Sequence, residues 1–397
     1  MTVAHSQNSS SPDVVLVAPA AQLLERALEF AMDRGLEALS GRELAAYAGV
    51  SPSAITYHFG SMDGVRVAVA SAVAGRVSAW YGEHIAAVMA AEPGGITPEG
   101  LVLALCTDVM GPKRNLALLA AELRVGGRLA AFMASDREAS ESLQPCFERL
   151  GSSADQAVTW IDLTYGLTWA LLITPPAARA YSWLPRLVDR VGDRLARRGS
   201  PPTYMSLPLP TQRHSPAPPA TDGARRILDA TISLMAEKGL FRLTHRDVAA
   251  RAEISLASCT YFFATKHDMV LAAVRELYRR ALSRAQDQSN SRLVPKHLVL
   301  PTGRLNSDLI ASQNSHVAVA RDPSFESATT MLRDLRGGPV AAHRIASLAP
   351  QLDTMDIFIW DTVLGGALHP TRAPKEDVAT RLEERFALHL SNLFGGP

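Results

Sequence analysis

The sequence has few cysteines, and they follow no pattern that indicates a cross-link or a metal. Its three cysteines, Cys106, Cys146 and Cys259, lie far apart, without a CxxC pair or a neighbouring cluster of histidines. A disulfide framework or a zinc site would need closely spaced ligands, so the sequence predicts neither. It also predicts no other metal and no cofactor, and such sparse thiols are typical of a protein of the reducing cytoplasm.

An excess of charge and a long apolar run are missing as well. The chain has 40 Lys and Arg against 39 Asp and Glu, a net charge of +1, so any basic surface for an anionic partner must be local. The apolar stretch from Trp160 to Ile173 is short and contains Asp162, which favours a buried helix over a membrane span. The first residues lack the basic region of a signal peptide. We therefore expect a cytoplasmic protein without a membrane partner, with a disordered arm over 1–20.

Alternating polar and apolar residues, the pattern of a half-buried strand, do not occur over any sustained run. Apolar residues recur at helical spacing instead, so we predict an all-α fold. The one clear break in composition is the proline-rich segment GSPPTYMSLPLPTQRHSPAPPA, which begins at Gly199. Because prolines disfavour helix interiors and favour extended chain, we expect a linker over 199–221 between two helical segments of similar length.

The two helical segments contain an internal repeat. Moving the chain along itself by 204 positions aligns glycines, hydroxyl residues and aromatics without a gap. A chance alignment of two helical segments would match alanines and leucines but not these glycines, hydroxyl residues and aromatics. The chain is therefore a tandem duplication. The aligned pairs include Leu24 with Leu228, Gly35 with Gly239, Arg42 with Arg246, Ser51 with Ser255, Thr56 with Thr260, Tyr57 with Tyr261 and Phe59 with Phe263.

Start and stop signals in the first copy predict a series of short helices. Gly35 ends an apolar leading helix, and Ser40 with Glu43 forms a capping box for a second helix over Gly41–Ala48. A sharp turn follows, and a third helix is then expected to begin at Pro52, the proline position that helices favour. The other signals in the first copy are Gly49 at the turn and Ser51 and Ser61 as caps. In the second copy they are Gly239 as the helix stop, Ser255 as a cap, and the capping boxes Thr244 with Asp247 and Thr265 with Asp268.

Two short helices joined by a tight turn and resting on a leading helix make a helix-turn-helix. Val50 and Ile55, with Ile254 and Cys259 in the second copy, are predicted to face the core. Small and hydroxyl side chains on the outward side could then enter a major groove and bond bases or phosphates. The residues predicted to contact DNA on these grounds are Arg42, Ser51, Ser53, Thr56, Tyr57, His58, Thr244, His245, Arg246, Ser255, Ser258, Thr260 and Tyr261.

These motifs resemble a known family. ELAAYAGVSPSAITYHFGSMDGV, residues 43–65, and the more diverged DVAARAEISLASCTYFFATKHDM, residues 247–269, are similar to the DNA-binding segment of the TetR family of bacterial transcriptional regulators. The resemblance implies a three-helix head followed by a helical-bundle regulatory and dimerisation domain. Family members usually work as homodimers, so a chain with two such units implies an intramolecular pseudo-dimer. The expected domains are a first head (21–66), a first regulatory domain (67–198), the linker, a second head (222–270) and a second regulatory domain (271–397).

The two heads depart from the family pattern in different ways. The family usually carries a lysine near the start of the fourth helix, where it grips a phosphate together with the helix N-terminus. Lys266 matches that position in the second copy, whereas Met62 stands there in the first. Glu253 replaces the turn glycine that Gly49 provides in the first copy, and we expect it to strain the turn.

Charge also separates the heads. Residues 22–70 contain four arginines and six carboxylates, about −2, whereas residues 226–274 contain six basic and five acidic residues, about +1. Since phosphate contacts dominate affinity for DNA, the second head is predicted to bind more strongly. Unlike heads also predict an operator that is not palindromic, because palindromy mirrors identical half-site readers.

The last two helices of each unit are predicted to form an interface between the halves. They are expected over Ala154–Ile173 and Ala178–Arg198, and over Thr354–Leu368 and Lys375–Phe394. The parallel segments WIDLTYGLTWA and IWDTVLGGALH contain small residues that allow close helix approach in a four-helix interface. The predicted interface residues are Asp162, Gly166, Asp361, Gly365 and Gly366.

The resemblance further implies a pocket between head and interface, whose filling changes the spacing of the heads and releases DNA. We expect a small, apolar or aromatic effector. The same aromatic and methionine side chains also fit an ordinary core, and that alternative is left open. The candidate lining residues are Trp80, Tyr81, Met110, Phe132, Trp160, Phe325, Met331, His343 and Phe358.

The motifs and the resemblance therefore predict a DNA-binding transcriptional regulator, with a repressor preferred and the choice between repression and activation left open. We do not expect an enzyme, since the sequence has no paired carboxylates, nucleophile elbow, phosphate loop or metal constellation. One chain suffices as the functional unit, and further self-association is left open. The alternative is a helical ligand-binding or scaffold protein in which one or both heads are inactive.

Overall fold

A computed structural model describes residues 18–126, 130–172, 177–199, 221–240, 242–287, 306–325, 328, 331, 352–369 and 377–395. These residues form helices and connecting turns, without a strand, which confirms the all-α prediction. No helix among them combines the length and apolarity that crossing a membrane requires. The predicted arm and linker lie almost wholly outside the described residues.

The first unit begins with a three-helix head and continues into a bundle. The head consists of α1 (Ala18–Arg34), α2 (Gly41–Ala48) and α3 (Pro52–Phe59). The long helix α4 (Met62–Ala90) leaves the head and enters the bundle. The remaining helices are α5 (Pro98–Met110), α6 (Arg114–Gly126), α7 (Ala130–Glu141), α8 (Gln144–Arg149), α9 (Ala154–Leu172) and α10 (Ala177–Leu195).

The second unit repeats the head, and its bundle is described in part. Its head consists of α11 (Asp222–Lys238), α12 (His245–Arg251) and α13 (Leu256–Phe262), followed by α14 (Lys266–Asp287). The bundle contains α15 (Ser307–Arg321) with a short 3₁₀ turn at Pro323–Phe325, then α16 (Thr354–Ala367) and α17 (Val378–Phe394).

Local capping explains why the head helices begin where they do. The Ser40 hydroxyl accepts the N–H of Glu43 at 3.2 Å, and that of Ser51 accepts the N–H of Ala54 at 3.3 Å. Each bond satisfies a donor that the first helical turn leaves without a partner. The caps of the second copy follow the prediction too: Thr244 accepts from Asp247 N at 3.1 Å, Ser255 from Ser258 N at 3.0 Å, and Thr265 from Asp268 N at 3.0 Å.

One prediction about the head cores is wrong. Ile55 and Cys259 are buried, and Ile254 packs against the core of the second head, but the side chain of Val50 is 37% exposed. Val50 lies in the turn itself, where its N–H bonds to the carbonyl of Ala45 at 3.0 Å. Its side chain is therefore left at the surface, ahead of the helix that carries Ile55.

The two units pack on each other as an intramolecular pseudo-dimer. Helices α9 and α16 cross at its centre, and α10 and α17 flank them. Two glycines make the close approach possible, because a Cβ on Gly166 would lie 1.9 Å from the Thr362 carbonyl oxygen and one on Gly366 would lie 1.7 Å from that of Asp162. Backbone thus contacts backbone at this crossing.

Buried ion pairs join the same four helices. The Asp162 carboxylate accepts from Arg385 Nε at 2.6 Å and faces His389 Nε2 at 2.8 Å. Arg194, on α10, pairs with Asp356 at 2.5 Å. Of the other predicted interface residues, Asp361 is buried on α16 and Gly365 is half-buried beside it. These pairs connect residues far apart in the chain and fix the register of the crossing.

Candidate nucleic-acid interface

Helix α3 presents an exposed polar and aromatic face. Ser53, Thr56 and Tyr57 are all exposed, and the Tyr57 ring is 84% exposed. His58 is half-buried and meets the Tyr57 ring edge-on, with ring centroids 5.0 Å apart. The Ser51 hydroxyl, besides capping the helix, lies 2.8 Å from that of Ser53. An aromatic residue so exposed contributes little to the core, so this face can contact a partner.

Helix α13 presents the equivalent face of the second head. Tyr261 is 85% exposed and packs edge-on against Phe262, with ring centroids 5.5 Å apart. The Thr260 hydroxyl donates to the carbonyls of its own helix, so it remains an acceptor toward a partner. Ser255 and Ser258 are exposed, with their hydroxyls 2.8 Å apart.

The short helices α2 and α12 flank these faces. Arg42 and Arg246 are exposed near their starts. Thr244 is exposed, and its hydroxyl donates to the Asp247 carboxylate at 2.8 Å. His245 is half-buried, and its Nε2 donates to the Phe263 carbonyl at 2.9 Å. That bond ties α12 to the end of α13, so His245 has a structural contact in addition to any role toward DNA.

Lys266 is the first residue of α14 and is half-buried. Burial lowers the pKa of its ammonium group, and the nearby carboxylate of Glu37 offsets this in part. Glu37 belongs to the first head and also pairs with Arg242 of the second head at 2.5 Å. The two heads therefore touch beside the lysine that matches the phosphate-binding position.

A comparison with known protein families matches both heads. The matching family model is that of bacterial regulatory proteins, tetR family, over residues 23–69 and again over residues 227–273. Both heads carry the tetR-type segment. No curated protein matches the chain. The two matched spans run from within the leading helix of each head into the first turns of α4 and α14, which indicates a DNA-binding transcription regulator with two units in tandem.

The two tetR-type heads differ at the turn between their short helices. Gly49 has φ +68° and Glu253 has φ +54°, so both adopt the left-handed conformation. Glycine adopts it freely, whereas a side chain makes it unfavourable. The strain that the sequence predicted at Glu253 is thus confirmed by its backbone, and the second head retains the geometry of the turn without its glycine.

We expect Glu253→Gly to stabilise the protein by about 1 kcal/mol, because the left-handed turn then carries no side chain. Gly49→Ala should have the opposite effect of similar size, since a Cβ there would meet no atom within 4 Å and only the backbone conformation is penalised. Urea denaturation of the full chain measures both changes. Glu253→Ala is the control: a gain as large as that of Glu253→Gly would assign the effect to the glutamate side chain instead.

The predicted effector-binding residues are scattered through the bundles behind the heads. Trp160 stacks on Phe147 in the core, and Trp80 and Tyr81 are buried in the same hydrophobic core. Trp80 Nε1 donates to Asp108 at 2.7 Å. In the second unit Phe325 is buried against His267, Met331 is half-buried, and Phe358 packs edge-on against Trp183. Met110 is half-buried, and His343 lies outside the described residues.

A cleft of about 510 Å³ lies between α4 and α7. Phe132 is the one member of the predicted set on its wall, which is otherwise made largely by small side chains. Serine hydroxyls supply its polar groups among alanines and a valine. Its lining residues are Val67, Ala70, Ser71, Ala74, Gly75, Ser78, Ala130, Ala131, Phe132 and Ser135. This cleft was not predicted from the sequence, because the predicted lining consisted of large side chains, whereas the space here results from small ones.

Proposed function

We propose that the protein is a transcriptional repressor that binds an asymmetric operator with its two unlike heads and releases it when a small, largely apolar effector binds. The observation that carries the proposal is the presence of two tetR-type heads, each with an exposed tyrosine on its recognition helix. The role of each predicted contact residue forms part of the proposal.

Differences between the exposed faces support an asymmetric operator. Ser53 and His58 of the first head correspond to Ala257 and Phe262 of the second. Hydroxyl and imidazole groups can bond bases or phosphates, whereas Ala257 and Phe262 offer apolar surface that suits a thymine methyl. Two half-sites of different sequence would satisfy these faces better than a palindrome.

The cleft between α4 and α7 supports a route for release. Helix α4 follows the first recognition helix directly, and Arg76 on α4 pairs with Glu25 of α1 at 2.5 Å. A molecule that widened the cleft would shift α4 and the head attached to it. Because recognition helices must lie about 34–36 Å apart to enter successive major grooves, such a shift would weaken binding.

The decisive experiment is a gel shift on DNA from upstream of the protein's own gene. It compares the unmodified full chain with the double variant Tyr57→Ala, Tyr261→Ala. We expect specific binding that the double variant loses while circular dichroism remains unchanged. Absence of sequence-specific binding by the unmodified chain would favour a helical ligand-binding or scaffold protein with inactive heads. A footprint with two identical inverted half-sites would contradict the asymmetric operator alone.

Lys266→Ala should weaken DNA binding about tenfold and lower the slope of log affinity against log salt by about 0.9, the change expected for one lost phosphate contact. Fluorescence anisotropy at several salt concentrations measures both. Met62→Lys is the matched variant in the first head and should steepen the slope by a similar amount. An unchanged slope in Lys266→Ala would remove that residue from the phosphate contacts.

A further inference from the structure

The first head rests on two helices of different units. Helix α1 ends at Arg34, next to Gly35, and a Cβ on this glycine would lie 3.2 Å from the carboxylate of Glu122 on α6. That carboxylate accepts the N–H of Leu36 at 2.8 Å. The end of α1 is therefore bonded to the bundle of its own unit through Glu122.

Arg321, the last residue of α15 in the second unit, reaches the same point. Its Nε donates to the Glu122 carboxylate, and its other nitrogens donate to the carbonyls of Met32 at 2.6 Å and Ala31 at 3.2 Å. These carbonyls belong to the last turn of α1, where helices leave acceptors that need partners. One guanidinium from the second unit thus bonds both the first head and the helix that supports it.

This contact is buried and charged. The side chain of Arg321 is 8% exposed and that of Glu122 is 7% exposed. Burial raises the pKa of Glu122, and the nearby Arg321 offsets the shift in part. A planar guanidinium with several fixed donors suits such a site, because it can bond a carboxylate and two carbonyls at once. Removal of either partner would leave a buried charge uncompensated.

The second head is supported differently. At the end of α11, a Cβ on Gly239 would lie 3.5 Å from the side-chain oxygen of Asn314. The Asn314 amide donates to the Met235 carbonyl at 2.9 Å. Asn314 and Arg321 both lie on α15, so a single helix contacts the ends of both leading helices, through a neutral amide in its own unit and a charged group across the interface.

We propose that Arg321 is a positioning residue that transmits movements of α15 in the second unit to the first head, so that one helix governs the placement of both heads. The proposal rests on the proposed function for its biological consequence. A displacement of α15 would pull on α1 through Arg321 and on α11 through Asn314. The second unit could thereby control the DNA contact of the first head, whether or not the first unit holds an effector.

Spin labels can test this coupling without DNA. One pair of labels, Tyr57→Cys with Glu384→Cys, measures the distance from the first head to α17. The other pair, Tyr261→Cys with Glu384→Cys, measures the distance from the second head to α17. All three sites are exposed, and the native cysteines are buried. In Arg321→Gln we expect the first-head distance distribution to widen about twofold, because a head with fewer supports samples more orientations. The second-head distribution should remain unchanged.

Arg149→Gln is the matched control. Arg149 also donates to helix-end carbonyls, those of Val88 and Met89, but within the first unit and away from the heads. It should leave both distributions unchanged. If Arg321→Gln fails to fold by circular dichroism, Arg321→Lys, which keeps the charge beside Glu122 but lacks the planar fork that bonds the carboxylate and both carbonyls at once, gives the same test. An unchanged first-head distribution, or equal widening for both heads, would overturn the proposal, while loss of the gel shift alone would overturn only the proposed function.

Discussion

Replacing Gly166 by alanine should force the two units apart at the centre of their interface and destabilise the protein by about 3 kcal/mol. The added Cβ would lie 1.9 Å from the carbonyl oxygen of Thr362 and 2.7 Å from its carbon. Both are backbone atoms, so no side-chain rotation can relieve the overlap. Helix α9 or α16 must move, and the dense packing around their crossing must open with it. Gly366→Ala should have the same effect from the other side.

Urea denaturation and small-angle scattering of the full chain measure this outcome. We expect a lower unfolding midpoint and a larger radius of gyration, because the linker still holds the separated units together. Gly82→Ala is the control: it lies inside α4, where a Cβ would meet no atom within 4 Å. It should stabilise the helix by up to about 1 kcal/mol. If Gly166→Ala and Gly82→Ala gave the same unfolding midpoint and radius of gyration, then α9 and α16 would not be in backbone contact.

Asp162→Ala should cost about 3–5 kcal/mol, the range found when one member of a buried ion pair is removed. The Asp162 side chain is fully buried and faces Arg385 and His389 of the other unit. Its loss leaves the guanidinium of Arg385 in a site with little access to water and removes a partner of the buried imidazole. Both groups belong to α17, so the flank of the interface should loosen first.

Chemical denaturation measures this loss of stability, and two comparison variants show whether it comes from the buried ion pair. Glu29→Ala breaks the exposed pair with Arg26 and should change stability by less than about 1 kcal/mol. The double variant Asp162→Leu, Arg385→Met replaces the charged pair with apolar groups and should recover much of the loss. A small effect of Asp162→Ala would mean that water reaches the site and solvates Arg385.

The heads could be predicted from sequence because their structure is encoded locally. Ser40, Ser51 and Pro52 specify helix starts within a few residues of themselves; helix α2 has the predicted bounds, and α3 begins at the predicted residue. Val50 was the exception, since a hydrophobic residue in a turn can lie on either side of the chain. The all-α class could be predicted because apolar residues recur at helical spacing, and the corresponding segments are helical in the structure.

The contacts between units could not be predicted in the same way. Glu122 and Arg321 are 199 positions apart, and nothing near either residue in the sequence points to the other. The pairing of Glu37 with Arg242 likewise depends on how the heads are placed. The effector candidates show a further limit: aromatic residues at helical spacing fit a core, as Trp160 does, whereas the cleft between α4 and α7 arises where side chains are small.

The crossing of α9 and α16 joins two segments of the same polypeptide, and this changes how the amount of protein in the cell affects an operator. Separate subunits at low expression must first find each other, so the population able to engage both half-sites grows with the square of copy number. Here each newly made chain already contains both halves at a fixed ratio. Occupancy of the proposed operator should therefore rise linearly with the number of chains in the cell at low expression. Dilution at cell division should not dissociate the two halves.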